Sequence, residues 1–142
     1  MTGAAWILSA DHRQVLLVQH RKLCRWLQVG GHADGDSDLF RVALREAREE
    51  SGLVQLALVS GTTTPVPFDI DVHQIPARAG EAAHLHYDLR YLFVAAAGQT
   101  PCASSESTAV QWVDRGRLPE FSTEESVLRM ERKTRMLLGA KD

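Results

Sequence analysis

Three glutamates, Glu46, Glu49 and Glu50, stand at i, i+3 and i+4 in a segment rich in Leu, Ala, Arg and Glu. Successive helix residues turn by about 100°, so with Glu46 at zero Glu49 falls near 300° and Glu50 near 40°. All three carboxylates then share one face. Phe40, Ala43, Leu44 and Ala47 at about 60° to 160° make an apolar core stripe, and Arg41, Arg45 and Arg48 at roughly 200° to 260° make a basic one. The acidic face borders the core. Like charges at this spacing repel, and glutamates near a helix C-terminus oppose its dipole. A divalent cation would offset both costs. Mg²⁺ takes oxygen ligands, keeps several waters and leaves positions for substrate phosphates. The plainer alternative is a solvated helix with an Arg45–Glu49 pair at i, i+4.

The helix signal runs from about Ser37 to Ser51, with no internal Gly or Pro. Gly52 followed by Leu53 is its C-terminal stop, and Asp34, Asp36, Ser37 or Asp38 could each cap its start. Strands are expected at Ala4–Ser9, Val15–Gln19 and Trp26–Val29, the last stopped by Gly30-Gly31. Further strands are expected at Val54–Val59, Val66–Val72, His84–Ala97 and Val110–Val113, with a turn at Gly61–Pro65 and a loop at Pro76–Gly80. A closing helix, Ser122–Leu138, carries Ser122 and Glu125 at capping-box spacing. Strands on either side of one helix, then a final helix, suggest an α/β fold with a mixed sheet packed between helices.

The surrounding residues favour the cation. The stretch Gly31-His32-Ala33-Asp34-Gly35-Asp36-Ser37 … Arg45-Glu46-Ala47-Arg48-Glu49-Glu50-Ser51-Gly52-Leu53 resembles the Nudix box, G-x5-E-x7-R-E-U-x-E-E-x-G-U, where U is a bulky aliphatic residue. Gly31, Arg45, Glu46, Glu49, Glu50, Gly52 and Leu53 match at the right intervals. The resemblance implies an α/β/α sandwich and hydrolysis of a nucleoside diphosphate linked to another moiety. It implies Glu49 and Glu50 as central ligands of Mg²⁺, for which Mn²⁺ could substitute. Glu46 would be a further ligand or a water-holding base, and the Gly30 carbonyl another metal oxygen. Arg45 would orient the carboxylates through charge-assisted hydrogen bonds. Glu106, in a loop after the box, sits where such proteins often place an added ligand or base. The partner would be a small nucleotide-type diphosphate, and a homodimer would fit the resemblance.

Two positions depart from the pattern. Ser37 replaces the first glutamate, and Ala47 replaces a bulky aliphatic. Asp36 or Asp38 is expected to take over the support of Arg45.

Outside the box, His84, His86, Asp88 and Arg90 alternate along one expected strand and so share a face. They could hydrogen-bond neighbouring loops, bind substrate (His84 and His86 in particular) or, with His73, hold zinc. Arg21, Lys22 and Arg25 could meet phosphates, although such a cluster is ordinarily a solvated loop. Trp26, Phe68 or Tyr87 could stack on a base, but each type is more often core at strand positions.

The 142 residues suit one domain, 1–142, and the 44% hydrophobic and 24% charged content is that of a soluble protein. A net charge of -2 gives no footprint for non-specific nucleic-acid binding. No apolar run approaches a membrane span, and Met1–Ala10 lacks the features of a signal peptide. Cys24 and Cys102 lack CxxC spacing and read as buried or idle thiols of a cytoplasmic protein. Two other functions stay open: a non-catalytic nucleotide sensor on the same fold, and a prenyl-diphosphate isomerase, for which no cysteine lies beside the box.

Overall fold

The computed structural model describes residues 1–59 and 65–139. The expected turn at Gly61–Pro65 therefore falls, except for Pro65, outside the described residues. Eight strands share one sheet: β1 (Thr2–Leu8), β2 (Gln14–His20), β3 (Trp26–Leu27), β4 (Val29–His32), β5 (Leu56–Leu58), β6 (Asp69–Ile75), β7 (His84–Ala95) and β8 (Ser107–Asp114). Helix α1 (Leu39–Ser51) follows β4, while a 3₁₀ turn at Arg115–Glu120 and helix α2 (Glu125–Gly139) close the chain. β1 and β7 are parallel, and every other strand pair is antiparallel, so the sheet is mixed.

Helices cover both faces, which explains why β1 reads as a continuous apolar run rather than an alternation. Ala5 and Ile7 join Val42, Ala43 and Ala47 of α1 in one core. Trp6 and Leu8 point the other way and join Leu118, Val127 and Met130 in a second core under α2. The Trp6 indole N–H donates to Thr134 Oγ1 at 3.1 Å, which satisfies its polar atom inside that second core. The expected mixed sheet between helices is what the chain forms.

Glycine sets how closely α1 lies on the sheet. A Cβ on Gly3 would stand 2.6 Å from the Leu39 carbonyl oxygen and 3.0 Å from the Ala43 nitrogen. Ala47, wholly buried in the α1 core, stands where the box pattern asks for a larger side chain.

Three expectations need correcting. Gly30-Gly31 does not stop a strand; both glycines lie inside β4, paired with Ala4 and Gly3 of β1. Their absent side chains permit close approach, since a Cβ on Gly30 would meet the Ala4 Cβ at 2.9 Å. β6 runs Asp69–Ile75, three residues later than the expected Val66–Val72, so that His73 joins Asp69 and Asp71 on one face of the strand. α2 starts at Glu125 rather than Ser122, because the Ser122 hydroxyl accepts from the Glu124 N–H and shapes the turn before the helix.

Candidate active site

α1 carries the acidic residues, and its ends are fixed locally. The Asp38 carboxylate accepts from the Arg41 N–H at 3.1 Å as the N-cap, and Gly52 ends the helix in the left-handed conformation with φ 74°. Between these ends the buried arc is wider than the apolar pattern suggested. It takes in Leu39, Val42, Ala43 and Ala47, and also Glu50, which is only 8% exposed. Glu50 therefore lies within the buried face rather than beside it, Glu46 is half-buried, and Glu49 is exposed.

Glu46 and Glu50 rest against the glycines of β4. The Gly30 N–H donates to Glu50 Oε2 at 3.2 Å, and a Cβ on Gly31 would stand 2.5 Å from Glu46 Cδ. The glycines thus make a cradle that any side chain would fill. Both carboxylates, with Gly30, Gly31 and Glu106, line a cleft of about 960 Å³. Glu106 is brought in by the β2–β3 loop: the Arg21 N–H donates to its carbonyl at 3.0 Å, and Arg21 Nε to the Ser105 carbonyl at 3.0 Å. Burial raises the Glu46 carboxyl above its ordinary range, and the Glu49 and Glu106 charges add to this. Burial likewise pushes Glu50 up to about 8; the Gly30 N–H opposes the rise, while Glu46 and Glu106 reinforce it.

These acids have little protein cation to balance them. Arg45 approaches Glu46 at 3.7 Å, with no Arg45–Glu49 pair among the described residues. Nor do Asp36 and Asp38 support Arg45 as expected. Asp36 grips Arg41 through two bonds of 3.0 and 2.9 Å, while Asp38 is occupied by the helix cap. Among the described residues no three His, Cys, Asp or Glu groups converge as a finished ligand cluster. Mg²⁺ does not require one, because it binds through one or two carboxylates and completes its shell with water and phosphate. A carboxylate pair, Glu50 buried and Glu46 half-buried, without a full counter-charge and beside a glycine cradle, fits such an ion.

The opposite wall comes from β1, β6 and β7. His73, His86, Asp88 and Arg90 all reach the cleft, whereas His84 lines a separate side pocket of about 280 Å³ with His32, His73 and His86. His73 and His86 are cross-strand partners with ring centroids 5.0 Å apart. Burial, with the amino terminus and His73 adding, holds His86 below its ordinary value. Among the described residues His73, His84 and His86 line one side pocket but do not converge as a zinc-ligand cluster.

Asp88 and Arg90 are structural. Arg90, 3% exposed, donates to Asp88 at 2.9 Å, Asp69 at 3.3 Å and the Ser126 carbonyl at 2.7 Å. Asp69 also accepts from Arg129 at 2.9 and 2.8 Å and from Lys133 at 2.6 Å. This network fastens α2 to β6 and β7. The sequence did not reveal it: Asp69 and Asp71 lay inside the expected strand, but only the register of β6 on β7 sets them opposite Arg90 and Asp88.

Arg21, Lys22 and Arg25 are exposed, as a solvated loop would have them, and they also line the cleft. The aromatics do not reach it. Trp26 packs edge-on against Phe121 at 5.6 Å, Phe68 packs against the α2 core, and Tyr87 is exposed on the other face of β7. Cys24 and Cys102 are free and exposed, not buried.

A family model described as the NUDIX domain matches residues 1–132. The chain belongs to the Nudix family of hydrolases. A Bacillus subtilis protein named as a candidate 8-oxo-dGTP diphosphatase is 28% identical over 121 residues, covering 84% of this chain and 70% of that one. The fold is shared with a Caenorhabditis elegans Ap4A hydrolase at a TM-score of 0.77 and 17% identity, covering 98% of this chain and 97% of the other. A Nudix-family hydrolase from Clostridium perfringens aligns at a TM-score of 0.70 and 22% identity, covering 96% of each chain. The Nudix domain of Shewanella oneidensis NrtR, solved with ADP ribose, aligns at 0.66 and 18%, covering 96% of this chain and 86% of that one.

Proposed function

We propose that the chain is a Mg²⁺-dependent pyrophosphohydrolase, one domain acting in the cytoplasm on the diphosphate linkage of a small nucleotide-type substrate. The observation that carries this reading is the meeting of Glu46, Glu50 and Glu106 on one cleft wall beside Gly30 and Gly31. Glu46 and Glu50 would hold the ion, the Gly30 carbonyl would add an oxygen, and Glu49 would join from the exposed rim. When bound, the cation neutralises charge on the diphosphate oxygens and makes the attacking water easier to deprotonate. Glu106 is suited to accept that proton, because it lies beside Glu46 and Glu50 in the cleft without a cation of its own among the described residues. Arg45 orients Glu46, and Arg21, Lys22 and Arg25 offer positive charge to the phosphates. No helix among the described residues is long and apolar enough to cross a membrane.

The test is a Mg²⁺-dependent phosphate-release screen over nucleoside triphosphates, dinucleoside polyphosphates, nucleotide sugars and ADP-ribose. Cleavage within one of these classes, abolished by chelation, is the expected result. If nothing is cleaved while a nucleotide raises the melting temperature, the chain senses its ligand without cutting it.

A further inference from the structure

β1 and β2 share a single registered pair, Leu8 with Val15, and then part. The chain from Trp26 to His32 spans the gap: Trp26 and Leu27 pair with β2, whereas Val29 to His32 pair with β1. Gln28 is the residue at the changeover and belongs to neither pairing. Val29 is buried in the α1 core, so the alternation turns Gln28 the other way, into the cleft. There its Oε1 is buried with no hydrogen-bond partner, the one such side-chain atom among the described residues. A buried acceptor left without a donor is costly, and folded proteins seldom keep one without a use. Its charged neighbours are engaged elsewhere, Arg25 with Glu124 and Arg21 with the Ser105 carbonyl.

We propose that Gln28 is a specificity-determining residue that accepts an N–H from the nucleobase of the substrate, seated where β1 and β2 part. This rests on the nucleotide reading above and adds the moiety that the site reads. An ionised phosphate has no hydrogen to give, so the loop cations and Gln28 serve different parts of one ligand. Ala4, Val18 and Leu27 line the same cleft and offer apolar surface to a ring. A side-chain amide presents an acceptor and a donor side by side, the pattern with which glutamine pairs a base edge.

The experiment compares wild type with Gln28→Met, and with Gln28→Leu as a second variant, on nucleoside triphosphates of different base and on abasic ribose 5-triphosphate. The wild type should prefer one base over the abasic compound by about tenfold or more, the worth of one hydrogen bond with its ring contacts. Both variants should lose that preference through KM, with kcat on the abasic compound unchanged and melting temperature maintained or raised. A preference retained in both variants, or absent from the wild type, overturns the role of Gln28 and leaves the hydrolase reading intact. A wild type that neither cleaves nor binds any nucleotide overturns both.

Discussion

Replacing Gly31 with alanine perturbs the site without removing a charge. The new Cβ would stand 2.5 Å from Glu46 Cδ and 2.8 Å from both Glu46 Cγ and Oε1. Ordinary van der Waals contact begins at 3.4 Å, so the Glu46 side chain must withdraw. A misplacement of about 1 Å at a reacting centre costs on the order of a hundredfold in rate. The fold should barely register the change, because the obstruction is a flexible side chain and not backbone. Gly3→Ala provides the contrast, since its Cβ would meet the Leu39 carbonyl at 2.6 Å and the Ala43 nitrogen at 3.0 Å. Overpacking of that kind costs about 1–3 kcal/mol. The assay pairs kcat/KM at saturating Mg²⁺ with thermal unfolding. Gly31→Ala should lose turnover and keep its melting temperature, while Gly3→Ala should lose several degrees. A Gly31→Ala variant with wild-type kcat/KM would refute the cradle and the placement of Glu46 within the site.

Other outcomes follow from the same contacts. Asp69→Ala leaves Arg90, Arg129 and Lys133 without their shared carboxylate and should cost about 3–5 kcal/mol in urea unfolding; a loss too small to resolve would show the network to be idle. Burial alone would raise the Asp69 carboxyl, but Arg129 and Lys133 outweigh it and hold it near 2, below the ordinary 3.8. Its contribution is therefore complete above the ordinary value and is lost as pH falls through about 2, so Asp69→Asn should flatten the acid limb of the stability curve. Glu106→Gln should lower turnover by about a hundredfold as a removed general base, with stability intact; full activity across pH would take Glu106 out of the chemistry. Asp38→Ala should cost about 1 kcal/mol as a lost helix cap, measured by urea unfolding, whereas Asp36→Ala should leave turnover unchanged because its carboxylate holds Arg41 and not Arg45.

Much of the site was legible because its signal is local. The i, i+3, i+4 carboxylates, the Gly52 stop and the apolar run of β1 each follow from neighbours in sequence. What could not be read depends on contacts across the chain. Gly30 and Gly31 carry the same residue type whether they end a strand or admit a helix, and only the nearness of Ala4 and Glu46 decides between these. The buried position of Glu50 arises from where β4 lies, which the helix pattern alone does not contain. Asp69 and Asp71 looked unremarkable until the register of β6 on β7 set them opposite Arg90 and Asp88. Gln28 carries no motif and becomes noticeable only once the parting of β1 from β2 is seen.

Glu50 offers the most direct test of the central claim, which is that a divalent cation held by the buried carboxylates drives hydrolysis. The measurement is hydrolysis of the substrate identified by the screen as a function of Mg²⁺ concentration, for wild type and Glu50→Gln. The wild-type rate should rise with Mg²⁺ to saturation and vanish with chelator. The variant should fall by about a hundredfold or more, as expected for one charge-stabilising group removed from a site sheltered from water, while its melting temperature holds. Wild-type cleavage that ignores Mg²⁺, or a Glu50→Gln variant following the wild-type curve, would contradict the account.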